Sequence, residues 1–264
     1  MVFIEYMVKT ELLYGLHSVK ATLEKYPENV LELMIQQGRD DERITEILQI
    51  ADGFGVAVQR VKVKTLEQML RQEHHHANLN HQGAVARCRA QALASDHELA
   101  VFLEKLENPP FLLLLDSVSD PQNLGACLRV ADGAGVDAVI STKDKAVGIT
   151  PVVRRVASGA AEAVPFFQVT NLTRTIRSLQ EAGVFVVGAA LDPGASSLYE
   201  TDLRGALGLV MGAEGKGLRR LVKETVDQLI YLPMKGEVQS LNVATASGVC
   251  LYEALRQRGF SSND

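Results

Sequence analysis

The chain predicts an α/β protein built on a mostly parallel sheet, and three observations carry that prediction. Beyond residue 110, short runs of Val, Leu and Ile alternate with stretches of helical period. The runs are apolar throughout instead of alternating with polar residues, as strands covered on both faces are. Of the 264 residues 47% are hydrophobic and 22% charged, an ordinary globular balance at a length that suits two domains better than one.

The N-terminal part reads as a helix (Leu16, Val19, Leu23), a strand (Val30 to Ile35), a helix (Ile44, Ile47, Leu48, Ala51), a short strand (Val56 to Val58), a helix (Leu66, Met69, Leu70) and a last strand near Ala84 to Ala86. This is a small α/β unit, residues 1–88. Residues 89–108 are polar and run into Asn108-Pro109-Pro110, where proline restricts the preceding residue, so they read as a partly helical linker. From 109 to 264 the order is strand Phe111 to Leu115, helix Asn123 to Asp132, strand Val136 to Ile140, helix Pro151 to Ser158, strand Val164 to Val169, helix Leu172 to Glu181, strand Val184 to Ala189, strand Leu207 to Met211, a short helix from Leu218, strand Gln228 to Leu232 and a final helix from about Leu241 to Arg258. Ligands of such sheets bind outside the carboxyl ends of the strands, so polar residues there are the first candidates for function.

Charge and cysteine usage narrow the function. Lys and Arg number 27 against 32 Asp and Glu, for a net charge of −5 and a pI near 5.7, so no bulk positive field draws a polyanion and any nucleic-acid site is local. Cys88, Cys127 and Cys250 are dispersed and odd in number, which argues against a disulfide framework or a zinc site and points to the reducing cytoplasm. Glu5, Lys9 and Glu11 interrupt the apolar N-terminus, and no window approaches about 18 apolar residues, so neither a signal peptide nor a membrane span is expected. Residues 1–6, ahead of Met7, read as an extension.

Several familiar sites are missing. No G-x-G-x-x-G follows a strand, which removes the dinucleotide fingerprint of a dehydrogenase. In Gly212-Ala213-Glu214-Gly215-Lys216-Gly217 the lysine precedes the last glycine and no Ser or Thr follows, so it is no Walker loop. There is no G-x-S-x-G elbow. His74, His75, His76 and His81 read as a polar loop between a helix and a strand, and no metal is expected there.

Three stretches place polar residues at strand ends: Asp120-Pro-Gln-Asn-Leu-Gly-Ala-Cys-Leu-Arg129, Val210-Met-Gly-Ala-Glu-Gly-Lys-Gly-Leu-Arg219, and Leu232-Pro-Met-Lys-Gly-Glu-Val-Gln-Ser-Leu-Asn-Val-Ala-Thr-Ala-Ser-Gly248. N-x-G-x-x-x-R, M-G-x-E-x-x-G and P-M-x-G-x-x-x-S-L-N in this order resemble the three motifs of the SpoU (TrmH) family of RNA ribose 2′-O-methyltransferases. Tyr14-Gly15-Leu16-His17-Ser18-Val19, His81-Gln82-Gly83 and Leu251 to Arg258 extend the resemblance along the whole chain, where it is similar to bacterial enzymes that methylate a guanosine of 23S rRNA in the P-loop of the peptidyl transferase centre. The resemblance implies a C-terminal knotted SPOUT methyltransferase domain, an N-terminal domain like the L30e/L7Ae RNA binders, S-adenosylmethionine as methyl donor, no metal, and a homodimer with its active site near the subunit interface. The substrate it implies is 23S rRNA, free or in an assembling large subunit. The apolar positions Val249, Leu251 and Leu255 of the last helix fit a dimer contact or a plain core equally.

Catalytic candidates carried by the resemblance are Asn123, Arg129, Glu214, Ser240 and Asn242. Asn123 also sits where an N-cap is expected, and Ser240 is a candidate cap for the last helix. Glu214, in a glycine-rich turn, is placed to hydrogen-bond Asn123 or the ribose hydroxyl. Arg129 is expected at the target ribose and phosphate. Gly212, Leu232 and Leu241 are the cofactor candidates, Gly212 because a residue without Cβ permits close approach. The family often has a second serine where this chain has Ala244. Arg154, Arg155, Lys216, Arg219 and Arg220, together with the N-terminal domain, are candidates for binding RNA, although paired arginines also serve as solvated helix faces. Alternatives are a tRNA ribose methyltransferase of the same family and a non-catalytic RNA-binding protein of ribosome assembly; intact Asn123, Arg129, Glu214, Ser240 and Asn242 argue against the second.

Overall fold

A computed structural model describes residues 10–74, 80–89 and 96–259. The chain divides into two compact units, residues 1–92 and 93–264. Residues 1–6, and His75 and His76 of the histidine cluster, lie outside the described residues.

The first unit is a four-stranded sheet in the order β1-β4-β2-β3, built from β1 (Thr10–Tyr14), β2 (Val30–Gln36), β3 (Val58–Val61) and β4 (Ala84–Arg89). Strand periodicity sorts its side chains. Leu13, Leu33, Ile35, Ala84 and Ala86 face α1 (Leu16–Lys25) and α2 (Glu42–Gly53), whereas Leu12, Tyr14, Met34 and Val85 face α3 (Val63–His74). The sequence reading missed β1, because its Leu12, Leu13 and Tyr14 are buried on alternate faces and show no polar alternation. The two family-like segments of this unit meet: Leu16 N donates to Gln82 Oε1 at 3.2 Å and Gly15 N to Ala84 O at 3.0 Å. His81 is buried, and its Nδ1 accepts from Gly83 N at 3.0 Å. Its role is to fix a turn.

The second unit is a seven-stranded sheet, paired parallel throughout, in the order β7-β6-β5-β10-β8-β11-β9. Its strands are β5 (Phe111–Asp116), β6 (Ala138–Thr142), β7 (Phe166–Val169), β8 (Phe185–Ala189), β9 (Ser196–Ser197), β10 (Leu207–Gly212) and β11 (Gln228–Tyr231). After β8 the chain crosses back to insert β10 beside β5, then crosses over β8 again to β11. One face carries α5 (Pro121–Gly133), α6 (Pro151–Ala157) and α10 (Val243–Gln257); the other carries α4 (Asp96–Glu104), α8 (Leu172–Glu181) and α9 (Arg220–Thr225). Helix α4 falls within the polar stretch 89–108, where Leu99 is buried in the core and Phe102 packs 5.3 Å from Phe167. The further helix α7 (Ala160–Ala163), which was not expected, precedes the strand read from Val164, and that strand begins two residues later, at Phe166.

Caps explain the helix starts. Pro121 follows Asp120, whose side chain accepts from Gln122 N at 2.8 Å, so α5 begins earlier than expected and Asp120, not Asn123, is its N-cap. Likewise Asn242, not Ser240, caps α10, accepting from Ala244 N at 2.9 Å. On α5, Gly125 sets the approach to α6, since a Cβ there would lie 2.6 Å from Val156 Cβ and 2.9 Å from Val153 O. Leu251, one of the candidate dimer contacts, is fully buried in the core.

Two outcomes follow. Gly125→Ala gains about 1 kcal/mol of helix propensity but meets backbone and a β-branched side chain, so urea melts should show a net loss of roughly 1–2 kcal/mol. Burial holds the His81 pKa below its ordinary 6.5, with Arg39 acting in the same direction and Glu67 against it. The unfolded chain therefore binds the proton first, and stability is lost as pH falls from about 6.5 through the folded value, by less than about 1.4 kcal/mol per pH unit. Denaturation midpoints from pH 7.5 to 5 should lose that component in His81→Gln.

Candidate functional site

The site forms where two parallel helices begin. Along their length α5 and α10 touch in register: Cys127 Sγ lies 3.8 Å from Ser247 Oγ, Gly248 packs against Val130, and Tyr252 Oη donates to Gly133 O at 3.2 Å. The N-termini of both helices therefore lie together, beyond the carboxyl ends of β5 and β10.

There the three polar segments meet on one amide. Asn242 Oδ1 accepts from Ala244 N and from Thr245 N at 3.4 Å, while its Nδ2 donates to Asn123 Oδ1 at 2.8 Å and to Glu214 Oε1. Both lone pairs and both N–H groups of the amide are used, which sets its orientation. Glu214 thus reaches Asn123 through Asn242 and not directly. The carboxylate also stands at a helix N-terminus, where the helix dipole favours negative charge. Glu214 Oε2 and Asn123 Nδ2 have no partner among the described residues.

Beside this cluster lies a cavity of about 520 Å³ at the carboxyl ends of β8, β10 and β11. Gly212, Glu214, Lys216, Leu232, Leu241 and Ser240 all line it. The volume suits a ligand of drug or cofactor size, and the lining mixes apolar side chains with polar groups as such sites do. Leu232 is half-buried against the core and Leu241 is 37% exposed. The lack of a Cβ at Gly212 serves the chain itself: an added Cβ would lie 2.2 Å from Gly217 C, so the turn's own backbone covers it. Leu191, 70% exposed just past β8, and Gln239 also line the cavity and were missed. A leucine just past the carboxyl end of an apolar strand was the available signal.

The cationic candidates separate into three groups. Arg129 and Arg155 are exposed with no hydrogen bond or ion pair among the described residues, and Lys216 is exposed at the cavity. Arg220 is exposed and pairs with Glu224 at 2.7 Å, one helical turn on. Arg154 and Arg219 are tied to partners of the fold: Arg154 is buried and pairs with buried Glu162 at 2.7 Å, and Arg219, half-exposed, bonds through Nε to fully buried Asp116 at 2.6 Å. Arg154 is therefore no RNA contact in this conformation, and the guanidinium of Arg219 has a structural partner. Arg129 is not among the cavity lining.

The thiols take no part. Burial pushes Cys127 up to about 11 and Cys250 up to about 12, so neither offers a thiolate near neutral pH. Among the described residues no group of His, Cys, Asp and Glu is arranged to hold a metal, and no helix is long and apolar enough to cross a membrane.

Comparison with known proteins agrees with this geometry. Residues 110–252 match the family model of the SpoU rRNA Methylase family, and residues 12–94 match the model for RNA 2'-O ribose methyltransferase substrate binding. The 23S rRNA (guanosine-2'-O-)-methyltransferase RlmB of Shewanella oneidensis is 50% identical over 252 residues, covering 96% of this chain and 99% of that one. The protein of the same name from Vibrio vulnificus is 48% identical over 95% and 98%. Among solved structures, the SpoU methyltransferase AviRb from Streptomyces viridochromogenes in complex with AdoMet superposes with a TM-score of 0.75 at 22% identity, over 94% of this chain and 90% of that one. The AdoMet-bound rRNA methyltransferase from Sinorhizobium meliloti does so with 0.74 at 25% identity, over 94% and 87%. With a family model matching more than half its length and relatives near 50% identity along nearly all of it, the chain belongs to the SpoU rRNA methylase family.

Proposed function

We propose that this chain transfers a methyl group from S-adenosylmethionine to the 2′-hydroxyl of a guanosine ribose in 23S rRNA, in the P-loop of the peptidyl transferase centre. The observation that carries the reading is the Asn123–Asn242–Glu214 cluster beside a cavity of cofactor size. The RNA and the base are those named for relatives near 50% identity.

In the cavity, Leu232 and Leu241 offer apolar flanks to an adenine, and the turn from Gly212 to Gly217 offers backbone groups. The bound cofactor supplies a methyl group on a sulfonium whose positive charge disappears on transfer. The difficulty left to the protein is the nucleophile, since a ribose hydroxyl is barely acidic. Glu214 Oε2 accepts the hydroxyl hydrogen bond and, with Asn123 and Ser240, holds that oxygen in line, and the proton the hydroxyl gives up on methylation passes to the target phosphate. Arg129 acts as a clamp: a guanidinium carries donors and no acceptor, so it binds the target phosphate and stabilises developing alkoxide charge.

Arg155, Lys216 and Arg220 are candidate cations of the catalytic domain, 109–264, that stay exposed and available to RNA. The N-terminal domain, 1–88, supplies the rest of the RNA footprint ahead of the 89–108 linker, a role supported by its match to a substrate-binding family model. Arg129 lies outside the lining of its own chain's cavity, which favours a homodimer in which a second copy completes the site. Val249 and Leu255, half-buried, and Tyr252, 51% exposed, are the positions of α10 left for that contact. Three buried free thiols suit a cytoplasmic enzyme.

Tritiated methyl transfer to unmodified 23S rRNA tests the reading: wild type should label one guanosine ribose, and labelling of tRNA instead would change the substrate while keeping the chemistry. Arg129→Ala should lower kcat by about a hundred- to a thousand-fold, as loss of one charge-stabilising donor does, and Arg129→Lys should restore little because an ammonium lacks the planar fork. At position 242 the two roles separate. Asn242→Asp keeps a good N-cap, so its thermal unfolding should stay within about 1 kcal/mol of wild type, yet it sets a second carboxylate against Glu214 and loses the amide donors, so transfer should fall about a hundred-fold or more.

A further inference from the structure

We infer that Asp116 is a positioning residue for Glu214, acting through Arg219 by holding both ends of the loop that carries the carboxylate. This rests on the reading of Glu214 given above.

The loop leaves the sheet where β10 ends, with Gly212 paired to Asp116 in the parallel register. One residue on, Ala213 N donates to the Asp116 main-chain oxygen at 3.2 Å. Six residues later the chain returns to the same residue: Arg219 N donates to Asp116 Oδ2 at 2.8 Å and Arg219 Nε to Oδ1 at 2.6 Å. Ser117 Oγ adds a third donor, at 3.2 Å to Oδ1, from a residue whose left-handed φ of 64° turns the chain straight after β5. The Asp116 side chain is wholly buried although Arg219 is half-exposed, so loss of a partner would leave a buried charge short of compensation.

Apart from the bond Glu214 accepts from Asn242, little else among the described residues holds the loop. Glu214, Gly215, Lys216 and Gly217 are exposed, and only Leu218 enters the core. Within the loop, Gly217 N donates to Ala213 O at 2.8 Å, which closes it but does not place it on the sheet. Placement therefore falls to Asp116 at one end through its carbonyl and at the other through its carboxylate. A shift of the Arg219 end moves the turn packed over Gly212 and with it the carboxylate that Asn242 receives.

The test combines methyl-transfer kinetics with amide exchange, using the whole chain. Asp116→Asn turns one acceptor into a donor facing the N–H groups of Arg219. It should lower kcat about ten- to a hundred-fold, the cost of a misplacement near 1 Å, with KM for RNA little changed; Arg219→Ala, at a half-exposed site, should do the same. In a Glu214→Ala background Asp116→Asn should add less than about two-fold, because the group it positions is gone. Exchange of amides 213–218 should quicken in both single variants while β5 and β10 keep their protection. Wild-type kcat in folded Asp116→Asn, full multiplication of the two effects, or joint loss of protection in loop and strands would each overturn the inference. If wild type labels no RNA, the methyltransferase reading fails, and the exchange pattern still decides whether Asp116 holds the loop.

Discussion

The site depends on a single primary amide. Asn242 spends its oxygen on two backbone N–H groups at the start of α10 and its nitrogen on Asn123 and Glu214. An amide has only these four hydrogen-bonding positions. The cap orients the side chain, and the oriented side chain in turn places two groups from distant parts of the chain. A residue of the same shape with different donors keeps one half of this arrangement and breaks the other.

What brings those groups within reach is the parallel packing of α5 and α10 on one face of the sheet. Helices that start together present two positive dipole ends to the same place, an effect worth about 0.3–1 kcal/mol per charge at an exposed site. Glu214 occupies that place. The other charges of this unit divide by burial: the Arg220–Glu224 pair is exposed and contributes little, while Arg154–Glu162 is buried and neither partner can be lost without stranding the other. Of the six cationic candidates, only Arg129, Arg155 and Lys216 are exposed without an ion pair among the described residues.

The parallel sheet and most helices were legible because apolar runs and periodicity report burial directly. The strand order was not: that β10 enters between β5 and β8 depends on crossovers that leave no local trace. At the site, residue types were readable but partnerships were not. Asn123 looked like a cap, yet Pro121 starts the helix earlier and hands that task to Asp120. Arg154 and Arg155 are neighbours in sequence with opposite environments. The chain breaks at Ser158 in a left-handed conformation, and α7 returns Glu162 to Arg154, an ion pair outside any i,i+4 pattern. Asp116 read only as the first residue past a strand, because nothing local announces a partner 103 positions away.

The separation in sequence along these bonds bears on how the protein folds. Asn242 and Asn123 are 119 positions apart, and β10 must slot between two strands of the sheet before the loop bearing Glu214 has an edge to rest on. Contacts of such long range close late, after much of the chain entropy has been lost. A partly collapsed chain can hold α5, β5 and β6 in native form and still have no site. Methyl-transfer activity therefore doubles as a strict gauge of completed folding, rising only with the last long-range contacts, whereas helix content recovers earlier.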